Sequence, residues 1–486
     1  MITIQEILLP ESASAYAALT ALDQTGNRFL FIVDSAGRLV GLLTDGDIRR
    51  GLLRGLDIHG LVADFMRREF VSLPVDATDR EIGAALGGPI AFLPLLDAQG
   101  CPVDYASQQR HRRYPVAQPF LRGNEEAYIT ECVRTGWISS QGRFVGEFER
   151  LLGEFHGTDP AVAVANGTVA LQLALAALGI GPGDEVILPT LTFAATASAV
   201  VHAGATPVFA DVDPNTWVIG AREIEAVLSK NTRAVIPVHL YGYPCPMVEI
   251  CNLARLHNVH VIEDTAEAFG ATVEGRPVGS FGAAASFSFF GNKTITTGEG
   301  GAVLFRDKAI RQRARTLRDH GMSPEKRYWH LEPGFNYRMT NLQAAIGVAQ
   351  MERIEEILKR KQGILDFYTH EFSGRAEFEL QRACVNGRPS CWIYTLLLAA
   401  DAGMSRDELA SRLLRNGIET RPMFYPLHSM PAFSRYAEQA YFPVAENLAP
   451  RGLSFPSAVT LTDACLENIG GITKSILDMR KMFNAS

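Results

Sequence analysis

The stretch SFSFFGNKTITTGEGGAV (residues 286–303) places a single lysine, Lys293, behind an apolar, aromatic run. Such a run is typical of a buried strand, and the Gly-Asn pair after it is typical of the turn that ends one. A lysine at that point is either an ordinary solvated charge or an amine placed at a strand end for chemistry. The other strand ends of the chain allow a choice between the two.

The glycines of this stretch form neither of the common nucleotide-binding loops. In the segment GNKT, Asn292 separates Gly291 from Lys293, and Ser286 stands where a P-loop has its first glycine. The segment TTGEGG also lacks the G-x-G-x-x-G spacing of a dinucleotide-binding turn. Neither fingerprint is met, so the lysine needs another explanation.

Four β-branched, nearly all-apolar segments predict further strands: EVILP, TPVFADV, RAVIPV and VHVIED. Helical runs such as TVALQLALAALG and REIEAVLSK separate them, and from about Met339 one long helical run leads into a smaller α+β region. Strands that are buried on both faces are typical of a mainly parallel sheet covered by helices. The sequence therefore predicts an α/β fold of this kind from about residue 125 onward.

Two strand ends offer groups that suit an anion. In VANGTVALQLAL a strand ends at Gly167-Thr168 and a helix begins, whose free N–H groups suit a phosphate. A plain helix cap is the alternative there. Ser288 lies in the strand that leads to Lys293, and its hydroxyl can reach the same phosphate.

Two other strand ends offer a carboxylate and an aromatic ring. Asp264 ends the predicted strand VHVIED, where ligands bind in open α/β sheets. It is either a helix N-cap or a partner for a protonated ring nitrogen. Phe193 follows another strand end and either packs in the core or stacks on a flat ring.

Taken together, these groups describe one site. A phosphate anchor, a ring stacker, a carboxylate and an amine are the parts that a pyridoxal phosphate enzyme requires. Joint coincidence is much less probable than any single structural role. Lys293 is therefore interpreted as a chemical group and not as a solvated charge.

The first 110 residues predict a separate region built as a tandem repeat. A helix over 14–25 precedes the strand FLFIVD, a turn at 35–37, and the segment LVGLLTDGDIRRGLLRG. A weaker copy follows, with a helix over 82–86, the run AFLPLLD, a turn, and a short strand at Pro102-Val103. The basic segment SQQRHRRYPVA (107–117) predicts a linker, with charges that are solvated and bind no partner.

Composition excludes several classes of function. The chain has 486 residues and a formal net charge of −7, which argues against nucleic acid as a partner. It has no apolar run of membrane-spanning length and no secretory signal pattern. The seven cysteines form no CxxC pair, so we expect no metal site, no disulfide framework and a cytoplasmic location.

The chain from about residue 114 to its end resembles the DegT/DnrJ/EryC1/StrS family of sugar-nucleotide aminotransferases. The matching segments are GWISSQG, the NGT turn, PTLTFAATASAV, EDTAEAFG, FSFFGNKTITTGEGG, GFNYRMTNLQAAIG and GIETRPMFYPLH. The resemblance implies pyridoxal 5'-phosphate as cofactor and an aspartate aminotransferase-like (type I) fold with a smaller C-terminal α+β domain. The implied domains are a tandem CBS pair over 1–110, a cofactor-binding domain over 111–345 and a small domain over 346–486.

The resemblance also implies roles for individual residues. Lys293 matches the lysine that holds the cofactor covalently, and Asp264 matches the partner of its ring nitrogen. Glu267 matches the group near the ring hydroxyl, where many relatives have Gln. Asn336 matches a residue that reaches the phosphate from the neighbouring subunit, which implies a homodimer or a higher homo-oligomer. Because some members replace the lysine with His and dehydrate, Lys293 favours transamination.

Within the family the chain is most similar to members that aminate C4 of GDP-4-keto-6-deoxymannose, with glutamate as amino donor, to make GDP-perosamine. Members acting on UDP-linked 4-keto sugars share much of the pattern, so the nucleotide stays open. Arg338 and Arg421 can pair with the diphosphate or with glutamate carboxylates. For every substrate candidate, surface or interface packing is an even alternative: Trp137, His330, Arg338, Arg421, Tyr425 and His428.

The N-terminal region resembles a tandem CBS pair. Its segment GLLTDGD implies that Thr44 and Asp47 contact the ribose and phosphates of a nucleotide, whereas the second copy departs from this pattern at 102–105. The pair is therefore either a regulatory nucleotide sensor, with the aminotransferase as its output, or a structural module. A third hypothesis, a degenerate aminotransferase that only binds, is disfavoured by the complete set of site residues.

Overall fold

The chain divides into two compact units, Met1–Arg113 and Tyr114–Ser486. The structure is a computed structural model that describes residues 4–25, 28–77, 79–86, 90–107, 114–438 and 440–484. Most of the predicted linker, residues 108–113, lies outside the described residues. The predicted division into three domains stays a prediction.

The N-terminal unit contains six strands and three α-helices among its described residues. Short 3-10 helices lie at Ile4–Ile7 and Val62–Asp64. The strands and α-helices are β1 (Leu8–Pro10), α1 (Ala15–Thr25), β2 (Phe29–Val33), β3 (Leu39–Thr44), α2 (Asp45–Leu53), β4 (Leu73–Pro74), α3 (Asp79–Ala85), β5 (Phe92–Leu96) and β6 (Pro102–Ser107).

The predicted repeat is present as two three-stranded sheets with the same pairing. In each, the first two strands are parallel across a connecting helix and the third is antiparallel: β1-β2-β3 and β4-β5-β6. Strand β6 is longer than predicted, because Tyr105 faces the core of the N-terminal unit and pairs with Pro94 across the sheet. Residues 102–105, where the second copy departs from the CBS pattern, therefore continue a strand.

The C-terminal unit contains the remaining helices and strands. Its first half comprises α4 (Glu125–Thr135), α5 (Arg143–Phe155), β7 (Val162–Val164), α6 (Gly167–Ala177), β8 (Glu185–Pro189), α7 (Ala195–His202), β9 (Thr206–Ala210), α8 (Ala221–Glu225), β10 (Thr232–Val235), α9 (Met247–Leu256), β11 (His260–Asp264), β12 (Thr272–Val273), β13 (Arg276–Pro277), β14 (Ala284–Ser288), β15 (Gly301–Phe305) and α10 (Lys308–Arg318).

The second half of this unit contains α11 (Asn341–Glu352), α12 (Ile354–Phe372), β16 (Phe378–Leu380), β17 (Gly387–Arg388), β18 (Thr395–Leu398), α13 (Arg406–Arg415), β19 (Arg421–Pro422), α14 (Pro443–Leu448), β20 (Gly452–Ser454) and α15 (Asp463–Asn484). Strands β16-β18-β20-β19 form an antiparallel sheet, which is the predicted smaller α+β region.

A seven-stranded sheet positions the residues around Lys293. Its order is β7-β15-β14-β11-β10-β8-β9, and only β15 runs antiparallel to its neighbours. The strand residues are almost all buried, as expected for a sheet that helices cover on both faces. The predicted mainly parallel α/β fold is confirmed, and the carboxyl ends of its parallel strands meet along one edge.

The single long helix predicted from Met339 is wrong in one respect. The backbone leaves helical geometry at Arg353 (φ −116°, ψ 16°), so α11 and α12 are separate helices. Helix α11 packs against α4 and α5 in a buried hydrophobic cluster of the C-terminal unit. The predicted boundary between residues 345 and 346 therefore falls within a helix.

No helix in the described part of the chain combines the length and the apolar character that crossing a membrane requires. Within the same residues, no group of three or more His, Cys, Asp or Glu side chains is arranged to hold a metal ion.

Candidate active site

A cavity of about 560 Å³ lies at the carboxyl edge of the seven-stranded sheet. This is the edge where open α/β sheets bind ligands. The walls come from the strand ends, from the start of α6 and from the smaller sheet. The lining residues used below are Asn166, Gly167, Thr168, Phe193, Thr196, Tyr241, Asp264, Glu267, Ser288, Asn292, Lys293, Trp392, Arg421 and Phe424.

Lys293 reaches the cavity on a turn that follows β14. Its backbone N–H donates to the carbonyl of Phe290 at 2.9 Å, and its side chain is only 13% exposed. Its Nζ lies 3.9 Å from Oε1 of Glu267. Burial lowers the pKa of the Lys293 amine, and the carboxylates of Glu267 and Asp264 oppose that shift. The amine is therefore easier to deprotonate than a surface lysine, as a proton-transfer group requires.

Asp264 ends β11 at the floor of the cavity and is buried. The hydroxyl of Thr196 donates to its Oδ2 at 2.8 Å, and the N–H of Ala266 donates to its Oδ1 at 3.2 Å. No helix begins after it, so the alternative of a helix N-cap is wrong. Burial raises the pKa of the Asp264 carboxyl, while the two hydrogen bonds and Lys293 favour the ionised form. A buried carboxylate held in this way suits a cationic ring nitrogen.

Glu267 is buried beside Lys293 and is oriented by an unusual backbone. Tyr241 adopts a left-handed conformation (φ 57°), and its N–H donates to Oε2 of Glu267 at 2.9 Å. Such conformations are costly for a non-glycine residue and concentrate at functional sites. Burial raises the pKa of the Glu267 carboxyl to about 7. The carboxyl therefore gains or loses a proton near neutral pH.

Glu267→Gln should change how stability depends on pH. Folded Glu267 keeps its proton up to about pH 7, whereas the unfolded carboxyl loses it near its ordinary value of 4.5. Its stabilising contribution is thus complete below pH 4.5 and is lost as the pH rises through 7. Since Gln cannot ionise, the cofactor-free variant should exceed wild type in unfolding free energy by about 1 to 3 kcal/mol at pH 8.

Urea unfolding of both proteins at pH 4.5, 6 and 8 measures this difference. The two free energies should converge at the lowest pH, where both side chains are neutral. If the difference in unfolding free energy between the two proteins is the same at all three pH values, Glu267 is not a buried carboxyl that titrates near neutral pH.

The start of α6 and the end of β14 form a cradle for an anion. Asn166 caps the helix by accepting from the N–H of Val169 at 3.0 Å, and the N–H groups of Gly167 and Thr168 have no acceptor within the helix itself. A Cβ added at Gly167 would lie 2.7 Å from the Cβ of Ser288, so only glycine lets the two elements come this close. Thr168 and Ser288 line the same corner of the cavity. These donors fit a phosphate group.

Phe193 projects from the segment after β8 into the cavity. The residue is 58% exposed, so the alternative that it packs in the core is wrong. Its ring lies 5.9 Å from the ring of Phe424. An exposed aromatic face on the cavity wall suits stacking with a flat ring.

Of the six substrate candidates, Arg421 is the one that lines the cavity. Its guanidinium lies 3.8 Å from Glu419 and is 43% exposed, so it stays accessible to an anion. His428 is enclosed: it bonds to Thr190 at 2.7 Å and to Glu446 at 3.2 Å. This arrangement agrees with the packing alternative for His428.

The other candidates lie outside the cavity. Arg338 forms an ion pair with Asp319, and the Nδ1 atom of His330 bonds to the carbonyl of His320 at 2.8 Å. The remaining two substrate candidates, Trp137 and Tyr425, are exposed on the surface, as is Asn336, the residue assigned to the phosphate of a neighbouring subunit. Within one chain the six substrate candidates are thus not brought together, and their roles, like that of Asn336, stay predictions.

In the N-terminal unit, Thr44 and Asp47 form the start of α2. Each caps the other, with Thr44 Oγ1 donating to Asp47 Oδ2 at 2.6 Å. The Asp47 carboxylate also accepts from Arg50 at 2.5 Å and from Arg67 at 2.7 Å. These contacts satisfy the carboxylate within the unit, so a nucleotide would have to compete for it.

Sequence reasoning missed three residues that complete the site. Thr196 orients Asp264, Tyr241 orients Glu267, and the ring of Trp392 faces the Lys293 amine at 3.7 Å. The segment PTLTFAATASAV contains Thr196, so its position one turn after Phe193 was an available signal. Nothing local marks Trp392, which follows Lys293 by about a hundred residues.

Comparisons with known proteins identify the chemistry of this site. The model of the DegT/DnrJ/EryC1/StrS aminotransferase family matches residues 119–473, and the CBS domain model matches residues 2–54. A GDP-perosamine synthase from Caulobacter vibrioides is 46% identical over 358 residues, which cover 74% of this chain and 96% of that protein. The CBS match covers the first of the two N-terminal repeats.

Solved structures show the same architecture. The aminotransferase TlmJ from Streptoalloteichus hindustanus is similar with a TM-score of 0.71 and 32% identity, covering 76% of this chain and 100% of that one. The PLP-form of the putative sugar aminotransferase Spr1654 from Streptococcus pneumoniae has a TM-score of 0.70 and 26% identity, covering 76% of this chain and 99% of that one. The predicted aspartate aminotransferase-like fold is confirmed.

Proposed function

Because this chain belongs to the DegT/DnrJ/EryC1/StrS aminotransferase family, we propose that it transfers the amino group of glutamate to C4 of GDP-4-keto-6-deoxymannose and thereby makes GDP-perosamine. It is a pyridoxal-phosphate-dependent sugar aminotransferase. The observation that carries the proposal is the convergence of Lys293, Asp264 and Glu267 in one cavity of a chain that is 46% identical to a GDP-perosamine synthase.

The residues of the cavity fit the cofactor. The start of α6 and Ser288 would hold its phosphate, Phe193 its ring face, Asp264 its ring nitrogen and Lys293 its aldehyde. When bound, pyridoxal phosphate supplies a carbonyl that takes up amino groups and a ring that accepts electrons.

Proton transfer falls to Lys293. Because its amine is buried, it loses a proton more readily than the amine of a surface lysine. When the amine is protonated, the nearby Glu267 carboxylate compensates the charge of the ammonium. Asp264 supplies a negative charge at the cavity floor, which would stabilise a proton on the ring nitrogen of the bound cofactor. The hydroxyl of Thr196 holds that carboxylate in place. Lys293 can therefore remove a proton from one carbon and return it to another.

Arg421 is the group best placed to bind an anionic part of the substrates. It lies at the cavity wall on β19 and is partly exposed. A guanidinium binds carboxylates and phosphates with two parallel hydrogen bonds. Either the glutamate carboxylate or the sugar diphosphate is a suitable partner for it.

Incubating the purified protein with glutamate and a panel of GDP- and UDP-linked keto sugars tests the proposed substrate. Mass spectrometry should show a gain of one amino group on the GDP-linked 4-keto-6-deoxy sugar, with 2-oxoglutarate as co-product. Lys293→Ala serves as the control for uncatalysed amination. Exclusive amination of a UDP-linked sugar, or of a 3-keto sugar, would overturn the substrate assignment and leave the aminotransferase assignment standing.

We further propose a homodimer in which Asn336 serves the cavity of the neighbouring subunit. In support, Asn336 is exposed and lies outside the cavity of its own chain. Inactive Lys293→Ala and Asn336→Ala subunits, mixed by unfolding and refolding, should then recover roughly a quarter of wild-type activity, since half the dimers carry one intact site. No recovery from a mixture that refolds to dimers would contradict the shared site.

The N-terminal unit is proposed to bind a regulatory nucleotide. The match of residues 2–54 to the CBS domain model supports this proposal, although Asp47 is already paired with two arginines. Calorimetry with adenine and guanine nucleotides, alongside turnover rates, tests it, with Thr44→Ala as the matched control. Absence of both binding heat and rate change would reduce the unit to a structural module.

A cytoplasmic location is also proposed, supported by the seven free cysteines.

A further inference from the structure

Trp392 contacts the lysine segment in two ways. It lies between β17 and β18 and is 4% exposed. Its indole Nε1 donates to the carbonyl of Asn292, the residue before Lys293, at 2.7 Å. The Nζ of Lys293 lies 3.7 Å from the centre of its ring. One side chain thus holds both the backbone that carries the reactive amine and the amine itself.

The ring contact matters most when the amine is protonated. An ammonium over the face of a tryptophan is attracted by the ring, and the attraction is strongest where water is excluded. The Lys293 side chain is only 13% exposed, and Oε1 of Glu267 lies 3.9 Å from its Nζ. Two titratable groups also favour the protonated amine, namely the carboxyl groups of Glu267 and Asp264.

The backbone of Trp392 is held by a hydrogen bond from a buried lysine. Lys361, on α12, donates from Nζ to the carbonyl of Trp392 at 2.8 Å and to that of Ser457 at 2.7 Å. Among the described residues it forms no ion pair with a carboxylate, and burial lowers its pKa to about 8. Burying an ammonium is costly, so two charge-assisted hydrogen bonds to carbonyls mark backbone that is firmly held.

The backbone is strained both next to Trp392 and in the segment around Tyr241 that packs against it. Cys391 and Tyr241 both have left-handed conformations, with φ of 54° and 57°. A Cβ added at Gly242 would lie 2.8 Å from the backbone nitrogens of Cys391 and Trp392, so only glycine permits this approach. Strain of this kind persists where the surroundings enforce one geometry. The Trp392 ring lies nearly parallel to that of Tyr241, with 6.3 Å between the ring centres and 14° between the planes.

We infer that Trp392 is a positioning residue for Lys293: its indole N–H fixes the turn that carries the lysine, and its ring face holds the free ammonium between proton transfers. The inference rests on the proposed role of Lys293 as the reactive amine. It adds a specific prediction for each half of the contact, and neither depends on which nucleotide sugar is the substrate.

The ring half is tested by competitive labelling of the full-length apoenzyme with trace acetic anhydride between pH 6 and 11. Mass spectrometry compares the Lys293 peptide with that of exposed Lys308 in the same sample. Trp392→Leu should lower the pH midpoint for Lys293 labelling by about 1 unit, because the ammonium loses its ring. Trp392→Phe, which keeps a ring face, should stay close to wild type. Coinciding midpoints for wild type and Trp392→Leu would overturn this half.

The indole half is tested by hydrogen–deuterium exchange. Trp392→Phe lacks the N–H that bonds to Asn292, so peptides covering residues 288–297 should exchange severalfold faster than in wild type. Unchanged exchange would overturn this half. Because Trp392→Phe keeps most of the packing volume, this arm gives an answer even where Trp392→Leu does not fold.

A second tryptophan–lysine pair supplies the matched control. Lys326 lies 4.1 Å from the ring of Trp329, which is 55% exposed. Trp329→Leu should leave the Lys293 midpoint unchanged and should shift that of Lys326 less than Trp392→Leu shifts Lys293, because exposed contacts of this type are weak. A Lys293 midpoint that moves equally in both variants would show a non-specific effect and would also overturn the inference. Failure of the GDP-sugar assay alone would leave it intact.

Discussion

Lys293→Ala should abolish transamination while leaving the fold intact. Turnover should fall by on the order of 10⁴-fold or more, since the variant loses both the covalent attachment of the cofactor and the base that moves the proton. Within the part of the chain that the structure describes, the Lys293 side chain makes no hydrogen bond that holds the core together, and it contacts the cavity residues Glu267 and Trp392. Rates with glutamate and the GDP-linked sugar measure the loss, and circular dichroism confirms folding.

Two further measurements make this result specific. Borohydride reduction followed by peptide mapping should find a pyridoxyl group on Lys293 in wild type. The corresponding peptide of the variant should carry no pyridoxyl group. Lys308→Ala, which removes an exposed lysine, should keep full activity. Amination retained by Lys293→Ala would remove this residue from the mechanism.

Asp264→Asn should lower kcat/KM by on the order of 10²- to 10³-fold, the range for loss of one electrostatic partner in a water-excluded site. Asparagine has nearly the same shape: its Oδ1 can still accept from the N–H of Ala266, and its Nδ2 can donate to the hydroxyl of Thr196, which donates to Asp264 at 2.8 Å. It carries no charge, so it cannot hold a proton on the cofactor's ring nitrogen. The fold and the cavity should stay unchanged, which separates the electrostatic effect from a structural one.

Thr196→Val provides a graded comparison for Asp264→Asn. It removes one hydrogen bond and keeps the charge, so activity should fall only about fivefold, in line with a net hydrogen-bond contribution near 1 kcal/mol. Absorbance spectra of the bound cofactor, recorded as a function of pH, should shift in Asp264→Asn and much less in Thr196→Val. Equal losses in both variants would contradict the role of the charge.

Local patterns were sufficient for most of the strand ends. The parallel strands are nearly all apolar because helices cover them on both faces, and a residue at the end of such a run, whether polar or aromatic, lies at the sheet edge. Asp264, Ser288 and Phe193 were found in this way, and the structure brings all three to one cavity. The errors came from elements whose limits depend on packing. Arg353 breaks a continuous helical pattern, and Asp264 has the chemistry of an N-cap without a helix to cap.

The motif resemblance was less selective for the substrate residues. Of six positions taken from matching loops, the structure brings Arg421 to the cavity wall and encloses His428 between Thr190 and Glu446. Loop residues that match in sequence share a backbone context, but their side chains are placed by partners elsewhere in the chain. Such partners cannot be identified from the loop alone.

The amino-acid sequence by itself determined the fold class, the family and the amine at the strand end, because burial on a sheet and strand termination are properties of neighbouring residues. Only the tertiary structure decided which groups surround that amine. Trp392, Tyr241 and Thr196 reach Lys293, Glu267 and Asp264 from distant parts of the chain. The burial that they create lowers the pKa of Lys293 and raises the pKa values of the Glu267 and Asp264 carboxyls. No local sequence pattern predicts this burial.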